Sequence, residues 1–340
     1  MKLLVTGSDG QVGTEYQLSK PIDGWDYIFL SKKDLDITKL DDVALTLRDI
    51  CPSAVLNLAA YTDVKQAEAD YEQSFRVNSI GPRNLAIVAD EMGIPIIHIS
   101  TEYVFDGEGG SGGTAYTETS EPNPLNNYGK TKLLGEDWIR KHAKWHYIIR
   151  SSWIYSNHGK NFYNSVLSLA QERSEINVVN DQFGSPTSAK ELIRGIDKVI
   201  SNMKVENSGT YHFSSLGKTS WKDFTVEIFY QAKIAVQVKG IPTDNVKAKV
   251  VRPLNSWMSS EKFSETFSYV PWHWKNSLRE VLSERKILPV KVGDRLASKG
   301  EELIIVSTDW LKKTARVSLL KNMKESVEVP FEILQNYDKQ

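Results

Sequence analysis

Directly after Met1 the sequence reads Lys2-Leu3-Leu4-Val5-Thr6-Gly7-Ser8-Asp9-Gly10-Gln11-Val12-Gly13, an apolar run that leads at once into a glycine-rich turn. Residues 2–6 predict a β-strand and residues 11–19 a helix. The glycines let the backbone turn sharply and approach a diphosphate, whose charge then lies against free N–H groups at the helix N-terminus. The order strand, turn, helix therefore predicts a dinucleotide site formed by Gly7, Gly10, Gln11, Val12 and Gly13.

Downstream of that turn, short apolar runs alternate with longer amphipathic segments. Further strands are predicted at residues 25–30, 54–58, 95–100 and 146–150. Helices are predicted between them, at residues 41–50, 73–92 and 126–141. This alternation predicts an α/β fold with a Rossmann-like, doubly wound parallel sheet. We expect residues 1–150 mainly to bind the dinucleotide and the less regular residues 151–287 mainly to form a smaller substrate lobe that returns to the sheet.

The sequence pattern changes after Arg285, from alternating strands and helices to short strands separated by turns. Four short strands are predicted there, around residues 290–292, 303–306, 315–319 and 327–333, with turns at Gly293, Gly300 and Asn322. We therefore expect residues 288–340 to form a small antiparallel β appendage, separate from a main domain of residues 1–287.

Composition excludes several classes of protein. With 42 Lys+Arg against 43 Asp+Glu, the formal charge is −1, which argues against a nucleic-acid partner. No apolar run approaches the roughly 18 residues that span a bilayer, so no membrane partner is expected. The single cysteine, Cys51, cannot form an internal disulfide, and no secretion signal is recognisable, so we expect a cytoplasmic location. The scattered histidines predict no metal site, and His98, in an apolar strand, is interpreted as a hydrogen-bonded core residue.

The end of the second predicted strand bears on the choice of cofactor. An acidic residue at this point would hold the adenosine ribose, but the chain reads Leu30-Ser31-Lys32-Lys33. Ser31 and Lys32 could receive the 2′-phosphate of NADPH, or the lysines could form an ordinary solvated turn. NADPH is therefore expected, with NADH possible.

A Tyr-x-x-x-Lys pair is the candidate catalytic motif, since residues four apart share a helix face. The pattern occurs three times, at Tyr16/Lys20, Tyr61/Lys65 and Tyr128/Lys132. Only Tyr128/Lys132 opens the helix after the fourth strand, which ends near Thr101, where ligands of open α/β sheets bind. Reduction of a carbonyl needs an acid within reach of the developing oxyanion, so Tyr128 is predicted to protonate it. Lys132 would lower the pKa of Tyr128 and hold the nicotinamide ribose, and Thr101 would hydrogen-bond the carbonyl oxygen. Alternatively, Tyr128 and Lys132 lie on an exposed helix without a catalytic role, and Thr101 only ends a strand.

Longer stretches point to one family. They are Leu35-Asp36-Ile37-Thr38, Asn57-Leu58-Ala59-Ala60-Tyr61-Thr62, Ser100-Thr101-Glu102-Tyr103-Val104-Phe105-Asp106-Gly107, Arg150-Ser151-Ser152-Trp153, His158-Gly159-Lys160-Asn161-Phe162 and Val178-Val179-Asn180-Asp181-Gln182-Phe183-Gly184-Ser185-Pro186-Thr187. Over about residues 1–285 the chain resembles the dTDP-4-dehydrorhamnose reductases of the extended short-chain dehydrogenase/reductase superfamily. The resemblance implies NAD(P)H-dependent reduction of the C4 keto group of a dTDP-linked 4-keto-6-deoxy sugar, dTDP-4-dehydrorhamnose, to dTDP-L-rhamnose.

The resemblance also implies residue roles. Its cofactor residues would further include Asp36, Ile37, Ala59, Ala60, Tyr61 and Asn78, together with Tyr128 and Lys132. Its substrate residues would be Thr101, Glu102, Tyr103, Trp153, Asn161, Gln182 and Arg252. Two departures stand out, because Glu102 replaces the family's usual Asp and Lys65 replaces a usual acidic residue. Some family members use Mg²⁺ at a dimer contact, which cannot be placed in this sequence.

Two other functions remain open at this point. A related sugar-nucleotide epimerase or dehydratase is one, although dehydratases carry an acidic pair where this chain has Glu102-Tyr103. The other is a non-catalytic regulatory or scaffold protein that binds a partner through the C-terminal β-unit. A homodimer or a protein partner at that unit is also possible.

Overall fold

The computed structural model describes residues 1–108, 113–246 and 250–285, and in the C-terminal tail the strands 295–298, 301–309, 314–319, 322–330 and 338–339. In chain order the strands before the tail are β1 (Lys2–Thr6), β2 (Asp26–Leu30), β3 (Ala54–Asn57), β4 (Ile96–Thr101), β5 (His146–Ser151), β6 (Ile154–Tyr155), β7 (Glu175–Val179), β8 (Phe183–Gly184), β9 (Thr187–Ser188), β10 (Gly209–His212), β11 (Thr219–Ser220) and β12 (Gln237–Ile241). The tail strands are β13 (Arg295–Ser298), β14 (Glu301–Asp309), β15 (Thr314–Leu319), β16 (Asn322–Pro330) and β17 (Asp338–Lys339).

Helices connect and cover these strands. They are α1 (Gln11–Leu18), α2 (Leu40–Ile50), α3 (Val64–Ala69), α4 (Tyr71–Phe75), α5 (Gly81–Glu91), α6 (Asn127–His142), α7 (Phe162–Glu172), α8 (Ala189–Asn202), α9 (Trp221–Ala232), α10 (Glu261–Phe267) and α11 (Trp274–Glu284).

A six-stranded parallel sheet forms the centre of the fold, in the order β10-β5-β4-β3-β1-β2. The predicted α/β class with a doubly wound parallel sheet is therefore confirmed. The predicted strand ends agree with β1 to β5 within one residue. Strand β10 was missed because its sequence, Gly-Thr-Tyr-His, lacks an apolar run.

The sheet is doubly wound because its side chains alternate between two apolar layers. Leu3 and Val5 of β1 pack in one layer with residues of α1 and α8, while Leu4 packs in the other with residues of α2, α5 and α6. All three β1 side chains are fully buried. A strand covered by helices on both faces reads as a continuous apolar run, as this one does.

One predicted helix is interrupted. Instead of a continuous helix over residues 73–92, the chain forms α4, a π-helical turn at Arg76–Ile80 and α5. Pro82 lies in the first turn of α5 and has no N–H to donate to the carbonyl of Asn78 four residues earlier. The ladder of α-helical bonds is therefore broken at Asn78, and π-turns of this kind are frequent at functional sites.

A separate apolar cluster forms the smaller lobe after β5. It is built from α7, α9 and α11 and includes the buried side chains of Tyr163, Phe224 and Trp274. The parallel pair β7 and β12 lies against α9. This lobe follows the sheet directly in the chain, so its loops are available to complete a site at the carboxyl ends of the strands.

The tail strands form a five-stranded antiparallel sheet, in the order β16-β15-β14-β13-β17. The predicted C-terminal antiparallel unit is thus confirmed. The strands predicted at 303–306 and 315–319 lie in β14 and β15, but Asn322, predicted as a turn, begins β16. The strand predicted at 290–292, Gly293, Gly300 and residues 331–333 of the fourth predicted strand lie outside the described residues. Leu303 and Val317 are buried.

Candidate functional site

A cleft of about 510 Å³ lies at the carboxyl ends of the central strands. The predicted cofactor residues that line it are Gly7, Gly10, Gln11, Val12, Gly13, Lys32, Asp36, Ile37, Ala59, Ala60, Tyr128 and Lys132. They come from segments far apart in the chain. The fold therefore brings together most of the residues assigned to a dinucleotide from the sequence.

The glycine turn is shaped by close backbone approaches. Gly7 has a φ of +67°, and a Cβ there would lie 2.5 Å from the backbone nitrogen of Ala59. A Cβ on Gly13 would lie 2.5 Å from the carbonyl oxygen of Gly7 and 2.6 Å from the Cα of Ser8. Side chains at these two positions would fill the turn, so the cradle expected for a diphosphate exists only because both residues are glycine.

Three predicted cofactor residues lie beside the cleft and not in its wall. The N–H and hydroxyl of Ser31 both donate to the carboxylate of Asp34, at 2.9 and 2.7 Å. Asn78, in the π-turn, accepts from the backbone N–H of Tyr61 at 2.8 Å and donates back to its carbonyl at 3.1 Å. Ser31 and Asn78 therefore brace the loops that form the cleft.

Thr101 and Tyr128 meet at the end of β4. The Tyr128 phenol lies near the side chain of Thr101, whose hydroxyl donates to Oε2 of Glu102 at 2.9 Å. The ring of Tyr103 lies edge-on to that of Tyr128, with 5.5 Å between centroids. Burial and the nearby Glu102 charge raise the pKa of Tyr128. Lys132 is not among the groups that shift this pKa, so the lowering predicted from the sequence is not seen in this structure.

Lys132 is turned toward the sheet. Its side chain is buried, and Nζ donates to the carbonyl of Ile99 at 2.7 Å and lies 3.0 Å from Nε2 of His98. Burial lowers the pKa of Lys132 to about 8, against an opposing effect of Glu136. His98 is the hydrogen-bonded core residue expected from the sequence, but its partner is the candidate catalytic lysine.

Glu102 is a buried carboxyl between the catalytic candidates and the smaller lobe. Burial raises its pKa to about 7, and the nearby backbone N–H groups of Glu102 itself and of Trp153, together with the Thr101 hydroxyl, oppose this rise. Trp153 has a φ of +48°, a strained conformation for a residue with a large side chain. Its indole stacks on that of Trp221, with 3.5 Å between centroids. The bend of the chain at Trp153 thus directs a backbone donor at Glu102.

The remaining predicted substrate residues are placed differently. Arg252 is exposed but near enough to Tyr103 for its charge to oppose the rise of the Tyr103 pKa, which burial takes to about 12. Gln182 is buried and donates to the hydroxyl of Thr243 at 3.1 Å. Asn161 caps α7 and donates to Oε1 of Gln11 at 3.1 Å. Asn161 therefore joins the smaller lobe to the glycine turn.

Several residues of the cleft wall were not predicted. They include Asp9, Thr62, Ser100, Ile154, Gly159 and Lys160. Lys160 is exposed and lines the same cleft as the glycine turn. Its stretch was noted for the family resemblance, but a single lysine in a polar loop gives no signal of its own.

The described residues contain neither a group of metal ligands nor a membrane-spanning helix. Within those residues, no group of three or more His, Cys, Asp or Glu side chains is arranged to hold a metal ion. No helix in the described part of the chain has the length and apolar character needed to cross a membrane.

The site defines a class of protein. A glycine-rich turn opens a nucleotide-sized cleft, and at its far wall Tyr128 and Lys132 of one helix meet Thr101 at a strand end. This is the arrangement of the short-chain dehydrogenase/reductase type of Rossmann enzyme.

Comparisons with known proteins identify the family within that class. Residues 1–287 match the family model described as RmlD substrate binding domain, and the chain belongs to this family. It is 36% identical to the spore coat polysaccharide biosynthesis protein SpsK of Bacillus subtilis over 84% of this chain and 98% of that protein. It is also 36% identical to the dTDP-4-dehydrorhamnose reductase of Shigella flexneri, with the same coverage. The crystal structure of dTDP-4-dehydrorhamnose reductase from Bacillus anthracis in complex with NADP is similar with a TM-score of 0.79 and 34% identity, covering 83% of this chain and 99% of that one.

Proposed function

We propose that this protein reduces the C4 keto group of dTDP-4-dehydrorhamnose to give dTDP-L-rhamnose, with NADPH as cofactor. The observation that carries the proposal is the meeting of Thr101, Tyr128 and Lys132 at the wall of the glycine-lined cleft. Relatives named for this reaction align over nearly their whole length, which supports the substrate. The NADP complex of the Bacillus anthracis relative supports the cofactor.

The cleft fits a dinucleotide by its backbone. The space that Cβ atoms on Gly7 or Gly13 would occupy is left open, and the N-terminus of α1 faces it. A helix N-terminus favours a negative group. Lys32 lines the same cleft next to Asp36 and Ile37, where a cation would favour the 2′-phosphate of NADPH over NADH.

NADPH, when bound, supplies the hydride that goes to C4. Tyr128 then delivers a proton to the C4 oxygen, and its raised pKa keeps the phenol protonated before the reaction. Thr101 lies beside Tyr128, near the carbonyl oxygen that Tyr128 protonates. Its hydroxyl donates to Glu102 in this structure and turns to the C4 oxygen when substrate is bound. We assign Lys132 to the nicotinamide ribose. The sugar is assigned to Trp153, and the nucleotide diphosphate to Arg252.

The test is a turnover assay on the full chain. NADPH absorbance is followed with dTDP-4-dehydrorhamnose and with other 4-keto sugar nucleotides, and NADH is compared in parallel. Tyr128→Phe should lose turnover while still binding NADPH. Tyr230→Phe is the matched control, since Tyr230 is 79% exposed on α9. Absence of turnover with both cofactors would refute the proposal, and a tightly bound, recycled NAD⁺ would instead favour an epimerase or dehydratase.

We also propose that residues 1–287 form the reductase domain and residues 288–340 a separate β appendage. Two observations support this division: the change in sequence pattern after Arg285 and the separate antiparallel sheet of the tail. A role of the appendage in self-association or in binding a protein partner, and a cytoplasmic location, remain part of the proposal.

A further inference from the structure

His98 lies in the middle of a chain of buried polar groups that ends at Lys132. Its side chain is fully buried in β4, and each ring nitrogen faces one partner. Nδ1 is 2.9 Å from Nδ2 of Asn57, and Nε2 is 3.0 Å from Nζ of Lys132. The position of the ring proton therefore decides which of these partners donates.

The orientation of Asn57 is fixed by its other contacts. Its Oδ1 accepts from the backbone N–H of Ala59 at 3.1 Å and from the hydroxyl of Thr6 at 2.7 Å. A backbone N–H can only donate, so the amide oxygen must face Ala59 and the amide nitrogen must face His98. The opposite orientation would set two N–H groups against each other at the loop that lines the cleft.

The tautomer of His98 follows from this orientation. An amide nitrogen can only donate, so Nδ1 of His98 must accept and carries no proton. The neutral ring then carries its proton on Nε2. A doubly protonated ring is incompatible with the same contact, and burial holds the pKa of His98 well below its usual value.

The Nε2 proton faces the amine of Lys132. An ammonium has no lone pair, so only the neutral amine can accept this proton while giving one of its own to the carbonyl of Ile99. We propose that, at mildly alkaline pH and with no cofactor in the cleft, His98 donates its Nε2 proton to Lys132 and so holds Lys132 as a neutral amine. Protonation of Lys132 and loss of its bond from His98 are then one event.

The charged groups around Lys132 agree with this assignment. Glu136, one turn along α6, would favour the ammonium, but its carboxylate is already bonded to Arg150, Arg140 and Ser100. On the other side, Tyr128 is neutral and Glu102 is bonded to Thr101. The low dielectric of the buried site then disfavours a charged amine.

His98 is therefore a positioning residue, which acts through Lys132. The inference rests on the proposed function in one respect, because that function makes Lys132 part of the reacting site. Binding of an anionic dinucleotide in the cleft would favour the ammonium and draw Lys132 away from His98, with uptake of a proton from solvent.

The direct test is nitrogen-15 NMR of the full chain without cofactor. At about pH 9 we expect the His98 ring to show a proton on Nε2 only, and we expect the Lys132 amine to titrate near 8, against the ordinary lysine value near 10.4. A His98 ring protonated on Nδ1, or a Lys132 amine with the ordinary value, would overturn the inference. Neither measurement needs substrate, so this result is separate from success or failure of the proposed reaction.

A substitution at Asn57, with a matched control, tests the direction in which protons are donated along the hydrogen bonds from Asn57 to Lys132. Asn57→Asp keeps the shape but replaces the donor to Nδ1 by an acceptor, so His98 should shift its proton to Nδ1 and Lys132 should become an ammonium. His142→Asn, at the far end of α6, is the control and should leave both signals unchanged. If His98 keeps its Nε2 proton in folded Asn57→Asp, Asn57 does not set the tautomer. If that variant does not fold, the measurement on the unaltered protein still decides the question.

A second readout is the number of protons taken up on binding. Calorimetry of NADH binding in two buffers of different ionisation enthalpy avoids the 2′-phosphate, which titrates itself. We expect net proton uptake above about pH 8 in the unaltered protein and loss of that uptake in Asn57→Asp. Equal proton uptake in both proteins would contradict the proposed link.

Discussion

Replacing Glu136 by Gln should destabilise the fold more than any substitution on the exposed face of α6. The Glu136 carboxylate is fully buried and accepts from Nε of Arg150 at 2.9 Å and from Nη2 at 2.7 Å. It also accepts from Ser100 at 2.5 Å and from Arg140 at 3.1 Å. Glutamine removes the charge, and its NH₂ group faces donors.

The size of the effect follows from the partner that is left behind. The side chain of Arg150 is only 3% exposed and would keep its charge without a counter-ion. Breaking a buried pair from one side costs about 3–5 kcal/mol. With an unfolding entropy of about 2.1 cal/mol/K per residue over residues 1–285, this corresponds to a fall in Tm of roughly 5–8 °C.

The effect depends on pH in a definite direction. Arg150 holds the pKa of Glu136 below its usual value, against the opposing effect of burial. A carboxyl with a depressed folded pKa stabilises the fold above its unfolded pKa, and this stabilisation is lost as pH falls through the folded pKa. The difference in unfolding free energy between the unaltered protein and Glu136→Gln should therefore be full at pH 7 and shrink in acid.

The assay is urea unfolding followed by circular dichroism, with thermal unfolding in parallel. Asp137→Asn is the matched control, because Asp137 pairs with Arg140 on the same helix but its side chain is 57% exposed. That surface pair should contribute less than about 1 kcal/mol. Adding Arg150→Met to Glu136→Gln should recover much of the loss, since it removes the stranded charge. The reasoning is refuted if Glu136→Gln costs no more than Asp137→Asn.

Four further predictions concern the site and the tail. Tyr128→Phe should lower kcat about 10²- to 10⁴-fold with little change in NADPH binding, measured by fluorescence titration; a nearly unchanged kcat would exclude Tyr128 as the acid. Lys32→Ala should raise the KM for NADPH about tenfold, as loss of one charge-assisted bond predicts, and should leave the KM for NADH unchanged. Lys160→Met should raise the KM for both cofactors. Equal effects of Lys32→Ala on the two KM values would contradict a contact of Lys32 with the 2′-phosphate. The pKa of Glu102 is raised to about 7, so its charge destabilises the fold increasingly as pH rises from about 4.5 to 7. The urea midpoint of Glu102→Gln should therefore rise relative to that of the unaltered protein over this pH range. A difference in midpoint that stays constant with pH would contradict the raised pKa. A chain ending at residue 285 should keep a cooperative thermal transition and turnover, and loss of either would contradict a separate appendage.

Local sequence patterns predicted most of the fold because they act at short range. The β1 run is apolar on both faces, and the glycine turn follows it directly, so strand, turn and helix were found together. The π-turn at Arg76–Ile80 was missed because it depends on Pro82 lacking an N–H within a stretch whose apolar spacing still fits one helix. Strand β10 was missed because it is held by pairing with β5 and has no apolar run of its own.

The catalytic candidates could be predicted, but not their protonation states. Tyr128 and Lys132 share a helix, and their spacing is visible in the sequence. The pKa of Tyr128 depends instead on burial and on Glu102, and both act only when β4 and α6 are packed together. A nearby lysine therefore does not suffice to predict a lowered phenol pKa, since Lys132 is directed at His98 and Ile99 in this structure.

The register of three strands explains why Lys132 turns that way. Thr6 pairs with Asn57 across β1 and β3, and Asn57 pairs with His98 across β3 and β4. These residues are far apart in sequence, and a shift of one residue in either pairing would send the side chain of Asn57 or His98 to the opposite face of the sheet. The hydrogen-bond chain that ends at Lys132 is thus a property of the assembled sheet. Asn57→Asp should alter the chemistry of Lys132 while keeping an acceptor for the N–H of Ala59 at the cleft. Substitutions at the glycine turn should instead alter cofactor binding without changing the His98 tautomer.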